Sequence, residues 1–386
     1  MDNVIEQIKN AYELDIKNNT TAYTADRLPV SFEAVTDRWL SAVLCGGVAG
    51  AEVVSYRLGE KDNGTSNRRK IFIEYNQVGT KAGLPKSVFC KATHELSNRI
   101  LLGTSGGAQG EVNFYNLVRP LLDLEAPKGY YAKFDPESFN SIIILNDLTD
   151  EVIEFCDHNT NINEERAASQ MRQLARLHGT CYSSQALREQ LKEFATFRDF
   201  WNRLEAFGFK HGCIQGFKEA EAVIPRRLFK RETEIWPATE QSVILIDQLP
   251  HTLAHCDVHL KNWYVAGNGE MGLSDWQSCG RAHWARDLAY TISTALTVEN
   301  RRNWERGLIR YYLEELAAHG GPRVDFDQAF NYYRQQLLGA LAYWTITLCP
   351  QPEMPDMQPQ DLTVEFIRRI TTAMDDVETL DSFSIS

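Results

Sequence analysis

At 386 residues, with 43% hydrophobic and 24% charged residues, the chain has the composition of an ordinary globular protein and the length of two lobes or domains. Its formal net charge of −12 excludes a nucleic-acid partner, because no basic stripe is available to neutralise many phosphates. The eight scattered cysteines, the polar start and the lack of any run near the ~18 apolar residues of a membrane span predict a cytoplasmic protein with reduced thiols and no membrane insertion. Residues 1–30 are polar and read as a peripheral extension. Residues 31–44 carry apolar side chains at helical spacing, and the small-residue segment 45–51 then gives way to a strand pattern over 52–58. Asn63-Gly64 signals a hairpin. Residues 71–75 and 87–91 read as further strands, with a helix expected around 110–122 and a buried strand over 141–145.

Beyond residue 148 the periodicity turns helical, over 164–178, 198–207, 301–316, 326–347 and 362–380, with the Pro-rich stretch 350–359 as a surface loop. The expectation is an α+β chain. Its N-terminal lobe, 1–148, holds a small antiparallel sheet, and its C-terminal lobe, 149–386, is mainly helical.

The chemistry concentrates in His255-Cys256-Asp257-Val258-His259-Leu260-Lys261-Asn262, followed by Leu273-Ser274-Asp275-Trp276. A short strand over 252–254 enters the loop. Residues 262–265 leave it, turn at 267–269 and return through 272–274, which sets Asn262 beside Asp275. Phosphoryl transfer of the protein-kinase type needs one carboxylate to accept or orient the acceptor hydroxyl proton, and an amide and a second carboxylate to hold magnesium on the nucleotide phosphates. Any single Asp or Asn here reads as a turn residue; the ordered set does not. His255 and His259 are expected to brace the loop through hydrogen bonds rather than to react.

His255-x-Asp257-x-His259-x-x-Asn262 with Asp275-Trp276 resembles the aminoglycoside/choline kinase-like superfamily of small-molecule phosphotransferases. Glu111-x-x-Phe114-Tyr115, Ile143 to Leu148, Leu174 to His178 and Asp287-Leu288-Ala289-Tyr290 are similar to its ecdysteroid kinase-like branch and to related bacterial enzymes. The resemblance spans residues 30–350 and implies a bilobal protein-kinase-like fold. It implies ATP, or GTP, as phosphate donor with Mg2+, and a small-molecule alcohol as acceptor. On matching positions Asp257 looks like the catalytic carboxylate, and Asn262 and Asp275 like the metal ligands. Lys91 looks like the lysine that meets the phosphates, with Glu111 as its ion-pair partner. The Gly46-Gly47 segment stands where a nucleotide-covering loop is expected, and Leu145 to Leu148, Asn146 and Leu148 among them, where a hinge would meet the purine through its backbone. The pattern departs at Cys256, where glycine is usual, and at Leu260-Lys261. A Cβ at position 256 predicts a loop that avoids positive φ there. Lys261 reads as a solvated lysine, and Asp287 as a brace for the loop.

The aromatic residues of the helical half, Phe194, Phe197, Phe200, Trp201, Phe207, Phe209, Trp284, Tyr290, Tyr343 and Trp344, read mainly as core. Those that face the acceptor favour an apolar, sterol-like alcohol or a hydroxyacyl compound over a cationic choline- or aminoglycoside-type acceptor. A metal-dependent hydrolase built on His255, Asp257 and His259, and a nucleotide-binding pseudokinase, remain as the other classes.

Overall fold

The computed structural model describes residues 2–18, 20–205, 207–351 and 357–383. The chain divides into two compact units, one running to Pro120 and including Pro127–Glu151, the other made of Leu121–Ala126 and everything from Val152 onward. The sequence placed the change three residues earlier and gave no sign of the excursion at Leu121–Ala126. Its cause is local: Glu125 accepts the Leu273 N–H at 2.9 Å on its carbonyl, and the Tyr264 hydroxyl at 2.9 Å on its carboxylate.

The first unit is built on a five-stranded antiparallel sheet of β1 (Val53–Asn63), β2 (Asn67–Tyr75), β3 (Ser87–Ala92), β4 (Gly129–Phe134) and β5 (Ser141–Asn146), in the order β1-β2-β3-β5-β4. Period-two alternation sends Ile71, Val88, Cys90, Ile142 and Ile144 to one face, where they pack on Trp39 and Leu40 of the helix Asp37–Leu44. That helix starts cleanly because the Thr36 hydroxyl accepts the Trp39 N–H at 3.0 Å. The Asn63-Gly64 hairpin forms in the expected place, with Asn63 opposite Asn67. Strand β4 carried no sequence signal, and neither did the helix Leu96–Ser105. The N-terminal stretch is not peripheral. Within it Ala22 is fully buried in the sheet core, Ile8 is fully buried, and Asp15 pairs at 2.6 Å with the enclosed guanidinium of Arg99.

The second unit is mainly helical, with two small antiparallel pairings. The strands β6 (Val152–Phe155), β8 (Trp263–Ala266) and β9 (Met271–Leu273) form one in the order β6-β8-β9, and β7 (Thr252–Ala254) pairs with β10 (Gly280–Ala282) in the other. The expected long helices appear as Glu164–Ser183, Phe197–Glu205, Val298–Ala318, Phe326–Leu348 and Gln360–Asp376. Two more, Phe209–Glu219 and Glu232–Asp247, were not legible in the sequence. Of the expected Pro-rich loop at 350–359, residues 352–356 lie outside the described residues. Of the ten aromatic residues singled out above, all are buried except Phe200 and Tyr343, which are partly so. Among the described residues no helix is long and apolar enough to cross a membrane.

Candidate active site

In the first unit Lys91 lies on β3, opposite Arg68 of β2 and Ile143 of β5. Alternation turns it to the sheet face away from Trp39, the face that the helix Gly107–Asn113 covers by packing on β4 and β5. Glu111 of that helix meets it: Nζ to Oε1 is 2.7 Å, with side chains 7% and 4% exposed. A pair this enclosed is fixed by geometry, because neither group can be left alone without a large desolvation cost.

Gly46 and Gly47 do not join this pair. They form the turn between the helix Asp37–Leu44 and β1, next to Val53, whose partner on β2 is Tyr75. Lys91 sits opposite Arg68, seven positions back along β2 or about 23 Å at the strand rise. The turn at the Lys91 end of the sheet is instead Gly64-Thr65-Ser66, since Asn67 pairs with Ala92. The Asn63-Gly64 signal pointed to it as a hairpin. Asn146 ends β5 with its side chain committed, accepting the Lys128 N–H at 2.7 Å and donating to Glu151 at 2.9 Å. Leu148 is partly exposed, two residues on.

In the second unit the strand pair β8–β9 does what the spacing implied. Asn262 ends a single turn, Leu260–Asn262, just before β8, and its carbonyl accepts both the Ser274 N–H at 2.9 Å and the Ser274 hydroxyl at 3.0 Å. Asp275 follows at once. The Asn262 amide donates to the Asp257 carbonyl at 2.8 Å, so Asp257, Asn262 and Asp275 are tied through two adjacent hydrogen-bonded steps.

The loop that carries Asp257 is held from behind by a carboxylate. Asp287, wholly buried at the start of the helix Ala285–Ala295, accepts the His255 N–H at 2.7 Å and the Cys256 N–H at 2.8 Å. His178 meets it through Nε2 at 3.1 Å and is fixed in turn by the Tyr312 hydroxyl on Nδ1 at 2.7 Å. Burial alone would raise the Asp287 pKa; the His178 bond and the nearby His255 outweigh it, and the carboxyl lies below its ordinary range.

That clamp explains a departure from expectation. Cys256 does not avoid positive φ: it sits at +66°, and Asp275 at +64°. A left-handed residue with a Cβ costs roughly 1–2 kcal/mol. Here the Cys256 N–H is held by Asp287, and its carbonyl by Arg286 Nη2 at 3.1 Å, so both adjoining peptides are pinned. Arg286 is itself enclosed among the rings of Phe197, Tyr343 and Tyr290, at 4.3, 4.6 and 5.3 Å. Gly339 leaves it room, since a Cβ there would come within 2.6 Å of Arg286 Nη1.

Asp257 has its carboxylate partly engaged. Tyr290 donates to Oδ1 at 3.1 Å, and the His259 ring nitrogen Nε2 lies 3.7 Å from Oδ2. Burial pushes the carboxyl up to about 6, with the negative charge of Asp275 adding to the effect and His255 and the Tyr290 bond opposing it. Tyr290 is three residues beyond Asp287, on the same helix face, which is the signal that could have found it.

The two histidines divide. His255 braces the loop as expected, its Nε2–H donating to the Ser274 carbonyl at 2.9 Å and its Nδ1 accepting the Asp257 N–H at 3.2 Å. With both nitrogens hydrogen-bonded it has no lone pair to offer a metal, and burial lowers its pKa. His259 does not brace through hydrogen bonds: its Nδ1 has no such partner among the described residues. It packs instead against Trp344, Tyr290 and Phe366, and burial pushes it down to about 3. Lys261 is exposed and donates to Gln358 at 2.7 Å. Among the described residues no group of three His, Cys, Asp or Glu side chains could hold a metal ion, as the hydrolase alternative requires.

The profile of the ecdysteroid kinase-like family matches residues 60–320. The chain belongs to that family. It is a small-molecule kinase. An aminoglycoside phosphotransferase-class protein of Ralstonia eutropha has the same fold, at 13% identity over 89% of this chain and 97% of that one, with a TM-score of 0.50. An ethanolamine kinase of Plasmodium vivax aligns at 12% identity over 84% and 83%, with a TM-score of 0.48. The choline kinase LicA of Streptococcus pneumoniae aligns at 15% identity over 87% and 96%, with a TM-score of 0.47. No curated protein matches the sequence.

Proposed function

We propose that this kinase transfers the γ-phosphate of ATP to the hydroxyl of an apolar small-molecule alcohol, sterol-like or hydroxyacyl, with Mg2+ as metal. The observation that carries the reading is the chain of bonds from Asp257 through Asn262 to Ser274, which tethers one carboxylate, one amide and the residue before a second carboxylate. Asp257 accepts or orients the acceptor proton through Oδ2, because Tyr290 occupies Oδ1. Asn262 and Asp275 are hard oxygen donors of the kind magnesium prefers, and with the Asn262 amide nitrogen turned to Asp257 its Oδ1 is the atom available for the metal. When bound, the metal neutralises charge developing on the phosphates. Lys91, aimed by Glu111, holds the α/β-phosphates, and the turn Gly64-Thr65-Ser66 lies over them. The segment Asn146 to Leu148 meets the purine through its backbone.

An apolar acceptor is favoured by the family. The test is an ATP-consumption screen of the purified chain and its Asp257→Ala variant. Apolar alcohols are turned over by the native chain, and the variant loses about 10³-fold or more in kcat while keeping its thermal shift with Mg·ATP. Undiminished turnover in the variant overturns the role of Asp257, and turnover of choline or aminoglycosides alone overturns the acceptor class.

A further inference from the structure

The helices Phe209–Glu219, Glu232–Asp247 and Phe326–Leu348 enclose a pocket of about 290 Å3 in the second unit. None of Asp257, Asn262, Asp275, His255, His259 or Asp287 lines it. Its walls are apolar, formed by Cys213, Phe217, Ile235, Trp236, Leu338 and Leu341. The void is not slack packing. On one side the first and third helices are in the closest contact glycine permits: a Cβ on Gly216 would fall 2.0 Å from the Thr345 carbonyl oxygen, and one on Gly212 would fall 2.2 Å from Ile346 Cδ1.

Charge sets the chemistry of the mouth. Lys210, Lys218 and Glu232 border the pocket. Glu232 stands in the first turn of its helix, where the positive end of the dipole accounts for a carboxylate without any ligand. Lys210 already faces Glu240, with Nζ 3.6 Å from Oε1, and lies over the Trp236 ring. Lys218 has no ion-pair partner among the described residues, in a chain of net charge −12, and it shares the rim with Ile214, an isoleucine 37% exposed. An unmatched cation beside an apolar pocket calls for a ligand with an anionic end and an apolar body.

We propose that this pocket is a second small-molecule site and takes an amphipathic carboxylate, the apolar portion lying on Phe217, Trp236 and Leu341 and the carboxylate at Lys218. The helix Phe326–Leu348 that forms one wall also carries Tyr343 and Trp344, whose rings pack on Tyr290 and His259, so the ligand rests on an element that backs the catalytic loop.

The test is isothermal titration of the full-length chain with decanoate, decanol and decyltrimethylammonium, which reads binding alone and is independent of any phosphotransfer. Decanoate binds with a Kd on the order of 10–100 µM, decanol at least about tenfold more weakly, and the cationic amphiphile more weakly still. Ile214→Trp, at an exposed position that leaves the core intact, abolishes decanoate binding by filling the mouth. Lys218→Glu, also exposed, weakens decanoate about tenfold or more and leaves decanol unchanged. No heat from decanoate at millimolar concentration, equal affinity for all three probes, or decanoate binding that survives both variants overturns the assignment.

Discussion

The two halves of the proposed chemistry are held by different means. In the first unit Lys91 and Glu111 stand on a strand and a helix, and each is aimed by the period of its own element, with their ion contact enclosed by burial. In the second unit Asp257 stands on a loop with a left-handed residue on its N-terminal side, and it is aimed by groups far away in sequence: Asp287 and Arg286 on the backbone, Tyr290 on the carboxylate. Regular structure carries a functional group at little conformational cost. A strained loop does so only if its surroundings over-determine it.

The sharpest break between the halves is expected at Asp257 itself. Its raised pKa means that the ionised carboxylate is disfavoured in the folded chain, so at neutral pH it weakens the fold while, in the proposed role, serving the reaction. The sign is that of a carboxyl raised from 3.8 to about 6. Its stabilising contribution is full below about 4 and lost as pH rises through about 6, while activity, which needs the ionised form, rises through the same interval. Asp257→Asn should therefore cost nearly all phosphotransfer and gain on the order of 1–2 kcal/mol of stability, read by urea denaturation at pH 7. A destabilised variant contradicts the burial argument.

The Lys91–Glu111 pair should behave in the opposite way. Lys91→Met removes the cation from beside a buried carboxylate and is expected to cost about 3–5 kcal/mol, whereas Lys91→Met with Glu111→Leu recovers most of that loss in the same denaturation assay. Additive losses in the double variant would show that the pair does not act as a unit. For the loop clamp, Asp287→Asn puts an amide where two backbone N–H groups and His178 need an acceptor, and about 2–3 kcal/mol is expected to go. Because the native carboxyl is depressed, its contribution is present above the ordinary carboxylate range and fades as pH falls through the lowered value, so native and variant stabilities should converge in acid. A constant gap from pH 7 to pH 3 would count against it.

The smallest effect probes the strain at Cys256. Glycine normally destabilises relative to alanine, but at φ +66° the order should invert. Cys256→Gly is expected to be more stable than Cys256→Ala by about 1 kcal/mol, both variants lacking the same sulfur. The normal order in calorimetry would mean that the loop relaxes away from the left-handed conformation once the side chain is cut back.

Much of this was legible in the chain. Strands β2, β3 and β5, the hairpin at Asn63-Gly64 and the long helices followed from periodicity, because their buried faces repeat every two or every 3.6 residues. Strand β4 escaped: its burial is patchy, with Gly129 and Tyr130 exposed, and nothing in that pattern alternates cleanly. Gly46 and Gly47 lie at the sheet end away from Lys91, which composition does not reveal, since it suggests a flexible turn without saying which end of a sheet it caps. The brace at Asp287 was read correctly from its place at a helix start, while Tyr290, one turn along, was passed over among other aromatics.

The sequence alone determined the reaction type, since an aspartate five positions before an asparagine and a second aspartate after a short hairpin form a set that chance turns rarely assemble. The resemblance its motifs carry implied that Lys91 and Glu111 would pair, and the structure brings them together. Tertiary structure alone decided the backbone of the loop. Whether Cys256 can hold positive φ, whether His259 has a hydrogen-bond partner and how far the Asp257 pKa rises all depend on what is buried beside them. Those neighbours come from a helix some 30 residues on, from Trp344 and from Phe366, and burial acts through distance in space, which spacing along a chain does not encode.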